Sequence, residues 1–194
     1  MKCSICRLFL GGVIGAIVAS VWGFFSWGVL PWHDISINKF KNQERVMQVM
    51  KENVSVDGVY IAPEIFSGCA GARQEGCLGK KSPFIYAQIK QDGIDFSQPS
   101  HYLYDFLIHF VGACLIGALL MRIVGRTYGE RLLFVTIVGL VAGFSGLALN
   151  WNWFGAGYCF TLVMCVDTLI QWFLMGLFLA KFVQPKGKCE CKGC

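Results

Sequence analysis

Ser26-Trp27-Gly28-Val29-Leu30-Pro31-Trp32-His33-Asp34 closes a long apolar run with a proline flanked by tryptophans, then a histidine and an acid. Upstream, Leu8 to Leu30 gives 23 residues without a charge, enough for one bilayer crossing at about 20 apolar residues. A secretory signal has an apolar core of only about 7–15 residues, so this run is expected to remain as an anchor. Pro31 removes an N–H and restricts Leu30, which predicts that the first helix ends there. Trp22, Trp27 and Trp32 gather toward that end, as an interfacial aromatic belt does. Gly11, Gly12 and Gly15 include a small-xxx-small pair, which lets a neighbouring helix come close.

Working outward, the same signature recurs. The chain is 55% hydrophobic and 15% charged, whereas soluble domains carry roughly a quarter charged residues. Further spans are expected over Tyr104–Val124, Leu132–Leu149 and Tyr158–Phe182, with a chargeless aromatic turn at Asn150-Trp151-Asn152-Trp153. Gly139-x-x-x-Gly143 and Gly146 predict a close-packing face on the third span. Residues 34–103 form the one sizeable polar segment. A helix is expected from Asn42 to Glu52, a strand from Gly58 to Ala62, and a second strand from Phe84 to Lys90 that Asp92-Gly93 turns into Ile94-Asp95-Phe96. The expected fold is an all-α membrane protein, a four-transmembrane-helix bundle with a small α+β extracytoplasmic lobe between spans 1 and 2. Its parts are 1–33 (cytoplasmic N-terminus and first span), 34–103 (lobe), 104–182 (spans 2–4) and 183–194 (cytoplasmic Cys-rich tail).

Charge placement predicts the orientation. The termini and the loop between spans 2 and 3 hold nine Lys/Arg against Glu130 and Glu190, while the lobe balances eight bases with eight acids. The positive-inside rule then sets both termini in the cytoplasm. The net charge of +5 is thus a topology signal and forms no nucleic-acid face.

Orientation sorts the ten cysteines. Cys69 and Cys77 fall in the external lobe, where an oxidising compartment favours a disulfide worth about 2–3 kcal/mol over so short a loop. Cys3, Cys6, Cys189, Cys191 and Cys194 fall on the cytoplasmic side, at spacings that suit a soft ion such as Zn²⁺ or Cu(I). The alternative is a solvated tail with incidental cysteines. Cys114, Cys159 and Cys165 lie within spans and read as packing residues.

The three histidines fall near one depth. His33 closes the first span, and His101, Asp105 and His109 make an i, i+4, i+8 stripe on the second. Asp167 lies in the fourth span, about 13 Å below Tyr158 by helical rise. An intramembrane acid marks a functional site whose partner must be named, and His109 is the expected partner. Such a cluster can bind a transition metal (Zn²⁺ or Cu²⁺) or relay protons; haem between two facing histidines is the weaker reading. The plain alternative is an interhelical hydrogen bond worth about 0.6–2 kcal/mol.

The block Ser26-Trp27-x-x-Leu30-Pro31-Trp32-His33, followed by Gly58-x-Tyr60-x-x-Pro63, resembles a group of uncharacterised bacterial inner-membrane proteins that carry both elements in the same order. The resemblance covers roughly the first 65 residues and the general span arrangement. It implies a bacterial inner membrane and no particular activity. No phosphate loop, G-x-S-x-G or H-E-x-x-H occurs, so the expectation leans away from an enzyme. Three functions are weighed: a metal- or proton-handling membrane protein acting through His33, His101, Asp105, His109 and Asp167; a scaffold or assembly subunit, self-associating or joined to other membrane subunits; and, least, a quinone-linked thiol oxidase using Cys69 and Cys77. The expected partners are lipid and protein, with no nucleic acid.

Overall fold

The computed structural model describes residues 2–63 and 83–183, with side chains from Ile5 onward. Four helices in it are long and apolar enough to cross a membrane: the bulk of α1 (Lys2–Gly28), then α4 (Pro99–Leu120), α5 (Tyr128–Phe154) and α6 (Tyr158–Phe182). Between α1 and α4 come two short helices, α2 (Trp32–Ser36) and α3 (Gln43–Asn53), and two strands, β1 (Gly58–Ala62) and β2 (Ile85–Ile89). The long helices are apolar around their whole circumference, as suits segments that meet lipid on one side and protein on the other.

They pack as a row. α6 lies between α5 and α1, α1 also packs on α4, and α4 meets α6 only briefly. The shared core comprises Ala19, Ala113, Ile116, Leu120, Val135, Met175, Leu179 and Val183. Small residues set the spacing. A Cβ at Gly15 would stand 3.0 Å from that of Ala113 and 3.2 Å from Met175. A Cβ at Gly139 would overlap Trp172, and one at Gly143 would press on Thr168, whereas Gly146 has no described atom near it. The packing face expected on the third span is therefore Gly139 and Gly143, without Gly146.

Helix ends moved some expected boundaries. α4 begins at Pro99, five residues before Tyr104, because proline is well placed in a first turn. α5 starts on a capping box: Glu130 N–H donates to Thr127 Oγ1 (3.3 Å) and Thr127 N–H donates to Glu130 Oε2 (2.8 Å). Its other end corrects the turn expected at Asn150–Trp153. Those residues are helical, Asn150 Nδ2 donates back to Gly146 O (3.0 Å), and the chain turns at Gly155, whose φ of +73° suits glycine.

In the lobe, Asn42 caps α3 by accepting from Arg45 N–H (2.9 Å). β1 and β2 pair antiparallel, with Gly58 opposite Ile89 and Ala62 opposite Ile85. The third strand expected at Ile94–Phe96 does not form. Gly93 makes the expected turn (φ +73°), but the residues after it leave the sheet, which stays two-stranded. Asp95 instead accepts from Ser97 N–H (2.9 Å) and Oγ–H (2.6 Å), an Asx turn leading into α4. The lobe meets the bundle where the Tyr86 ring packs 4.3 Å from that of Phe154, near the end of α5.

Candidate histidine–carboxylate site

The first helix stops as expected near Pro31, but the chain does not leave the bundle there. Pro31 instead opens the five-residue α2, which packs against α6. The turn is held by Ile37 N–H donating to His33 O (3.1 Å) and by Ser36 Oγ donating to the same carbonyl (2.8 Å). His33 is thereby folded inward until 2% of it is exposed. Its ring stacks on Trp27 (centroids 3.8 Å apart, planes 6° apart) and meets Trp32 edge-on at 5.5 Å.

Beneath His33 lies Asp167, in the body of α6 and 8% exposed. Its Oδ1 accepts from Trp22 Nε1–H (2.7 Å) and from Ser26 Oγ–H (2.7 Å), both on α1. His33 Nε2 stands 3.0 Å from Ser26 Oγ and 3.6 Å from Asp167 Oδ2. A hydroxyl carries one proton, and that of Ser26 is taken by Asp167. Nε2 of His33 must therefore donate to Ser26, as does Trp32 Nε1 (3.1 Å). This fixes the neutral imidazole as its Nε2–H tautomer and leaves Nδ1 as a bare acceptor, buried and without a hydrogen-bond partner among the described residues.

Serine, histidine and aspartate in contact invite comparison with a hydrolytic triad, and the order excludes it. In a triad the imidazole stands between carboxylate and hydroxyl, and takes the hydroxyl proton. Here the hydroxyl stands between, is fully buried, and gives its proton to the carboxylate.

A second pair lies on α4. His109 Nε2 is 3.3 Å from Asp105 Oδ1, one helical turn away, and Ser20 Oγ–H donates to Asp105 Oδ2 (2.7 Å). Gln171, one turn along α6 from Asp167, reaches Ala19 O (3.4 Å) and His109 Nε2 (3.5 Å). The two pairs thus border one seam where α6, α1 and α4 meet. The expected Asp167–His109 pairing is corrected: Asp167 is joined to His33, and His109 to Asp105. His101 joins neither pair and lies beside Phe96, with ring centroids 6.0 Å apart.

Among the described residues no three His, Cys, Asp or Glu side chains are grouped so as to hold a metal ion. Cys6 and Cys159 are exposed and Cys114 and Cys165 half-buried, all four free. Cys69, Cys77, Cys189, Cys191 and Cys194 lie outside the described residues, as does the side chain of Cys3, and with them the expected disulfide and cytoplasmic metal site.

Sequence reasoning missed Trp22, Ser26, Ser20 and Gln171. Three of them carry a legible signal: Trp22 and Ser26 are spaced i, i+4 on one helix face, and Gln171 is spaced i+4 from Asp167. Comparisons with protein-family profiles, with curated proteins and with solved structures return no match.

Proposed function

We propose that this multi-pass membrane protein handles protons through its two histidine–carboxylate pairs, as a small transporter, sensor or accessory subunit without a catalytic reaction of its own. The observation that carries this is the buried His33–Ser26–Asp167 chain. A proton accepted at the bare Nδ1 makes His33 an imidazolium. Nε2 then passes its proton to Ser26 Oγ as Ser26 passes its own to Asp167. The net result is one proton moved from imidazolium to carboxylate, with both groups left neutral. Histidine suits the task because its charge changes near neutral pH, and acids within spans commonly serve in such relays. His109 and Asp105 offer a second station deeper along the seam. Charge placement supports cytoplasmic termini and an external lobe, and the resemblance carried by the Ser26–His33 block implies a bacterial inner membrane as the setting.

The test uses the full chain in liposomes with an internal pH-sensitive dye and a valinomycin-clamped potassium gradient. The wild type should acidify the interior faster than protein-free vesicles, and Asp167→Asn and His33→Gln should fall to the protein-free level. Wild-type vesicles that match protein-free ones overturn the proposal.

An assembly role also has an observation behind it. α5 packs chiefly on α6 and is the least buried of the four long helices. That leaves a broad helix face for a further subunit or a second copy.

A further inference from the structure

α3 places Val46 and Met50 on one side and Glu44 and Glu52 elsewhere on its circumference, yet none of its residues is buried. Its apolar side faces β2 across a groove of about 820 Å³, within the roughly 300–1,000 Å³ of small-molecule sites. The walls are apolar, with Val46, Met50 and Ile89 among them. The charged groups among the described lining residues are Lys41, Arg45 and Lys90, all exposed, with no carboxylate.

The groove's position matters as much as its lining. Tyr86 lines it and also packs on Phe154 near the end of α5, beside the exposed rings of Trp151 and Trp153. Tryptophans at the end of a span mark the level of the membrane–water interface. The groove therefore opens where one leaflet presents its amphiphiles.

We propose that this groove binds a single-chain carboxylate amphiphile of the fatty-acid class drawn from that leaflet, its chain between α3 and β2 and its head among Lys41, Arg45 and Lys90. An apolar trough alone would suit any greasy surface. Three cations without an acid among them select an anionic head, and a trough of this size takes one chain. The proposal is independent of proton handling and rests on the four helices crossing a bilayer.

The test uses the full chain in phosphatidylcholine nanodiscs with a diazirine-bearing palmitic acid, photolysed and mapped by peptide mass spectrometry. Label should concentrate on peptides covering 43–53 and 83–90. It should fall about fivefold in Arg45→Gln/Lys90→Gln, the size of an exposed ion pair, and equally when the methyl ester replaces the acid. Met50→Trp, which fills the trough, should abolish it; the rim variants carry the test should that variant fail to fold. Label confined to α1 and α4–α6, equal labelling by the ester, or copy-to-copy cross-links through the groove would each overturn the proposal.

Discussion

Removing the Asp167 carboxylate separates its structural role from its chemical one. In Asp167→Ala two donors at 2.7 Å lose their acceptor, Trp22 Nε1 and Ser26 Oγ. They fare differently. Ser26 Oγ already lies 3.0 Å from His33 Nε2, so a change of imidazole tautomer lets the hydroxyl donate there. Trp22 has no such recourse, and the His33 proton moves to Nδ1, which has no partner in either tautomer, so the net loss is one hydrogen bond at a cost of about 1–3 kcal/mol. Interhelical polar contacts in membranes average only about 0.6 kcal/mol, because the unfolded helices find other partners. The lower half of that range, about 1–2 kcal/mol, is the expected loss. Asp167→Asn keeps an acceptor oxygen for both Trp22 and Ser26, and a shift of His33 to its Nδ1–H tautomer removes the N–H that the new amide would otherwise face, so it should cost less than about 1 kcal/mol. Steric trapping in bicelles measures both, and fluorescence reports locally because Trp22, Trp27 and Trp32 surround the cluster. An Asp167→Ala variant as stable as the wild type, or an Asp167→Asn variant as damaged as Asp167→Ala, would refute the hydrogen-bond assignment. With the assignment upheld, Asp167→Asn is the informative variant in the liposome assay: it keeps the fold and removes the proton acceptor.

The α5–α6 contact predicts opposite outcomes at two glycines. Gly139→Ala drives a methyl into Trp172 and should cost about 1–3 kcal/mol in the same assay, while Gly146→Ala meets no described atom and should be neutral or stabilising by up to about 1 kcal/mol; equal effects would sink the packing assignment. In the lobe, the Ser97 hydroxyl and N–H hold the Asp95 carboxyl below its ordinary 3.8, so its contribution is present above that value and is lost as the pH falls through the lower folded one. Ser97→Ala should raise the Asp95 midpoint toward 3.8 in a carboxyl carbon NMR titration, and an unmoved midpoint would show that the hydroxyl plays no part.

Much of the architecture was written in local patterns. Apolar runs of span length, the proline after Leu30 and the helix start at Asn42 are each set within a few residues, and the structure follows them closely. The errors share a cause. Asn150–Trp153 has the composition of a turn, but helix ends are decided by whichever residue can take a left-handed conformation, and that is Gly155. Ile94–Phe96 has strand-like residues, yet the Asp95 carboxylate takes the Ser97 N–H and hydroxyl and turns the backbone into α4 instead of along the free edge of β2. The site divides the same way. Asp105 and His109 could be paired from spacing because they share a helix. Asp167 and His33 could not, since that contact depends on how α6 packs on α1 and on α2 turning back after Pro31. A proline that ends one helix and starts another looks the same in sequence as one that ends a helix for good.

The order of the helices in the row has a consequence for biosynthesis. α6 is made after α1, α4 and α5, yet it lies between α1 and α5. Trp22, Ser26 and His33 are complete long before the carboxylate they surround exists. The protein cannot be assembled by adding each new span to the outside of the previous ones. α1 and α4 can join early, whereas α5 makes its extensive contact only with α6, so the two can dock on α1 as a hairpin.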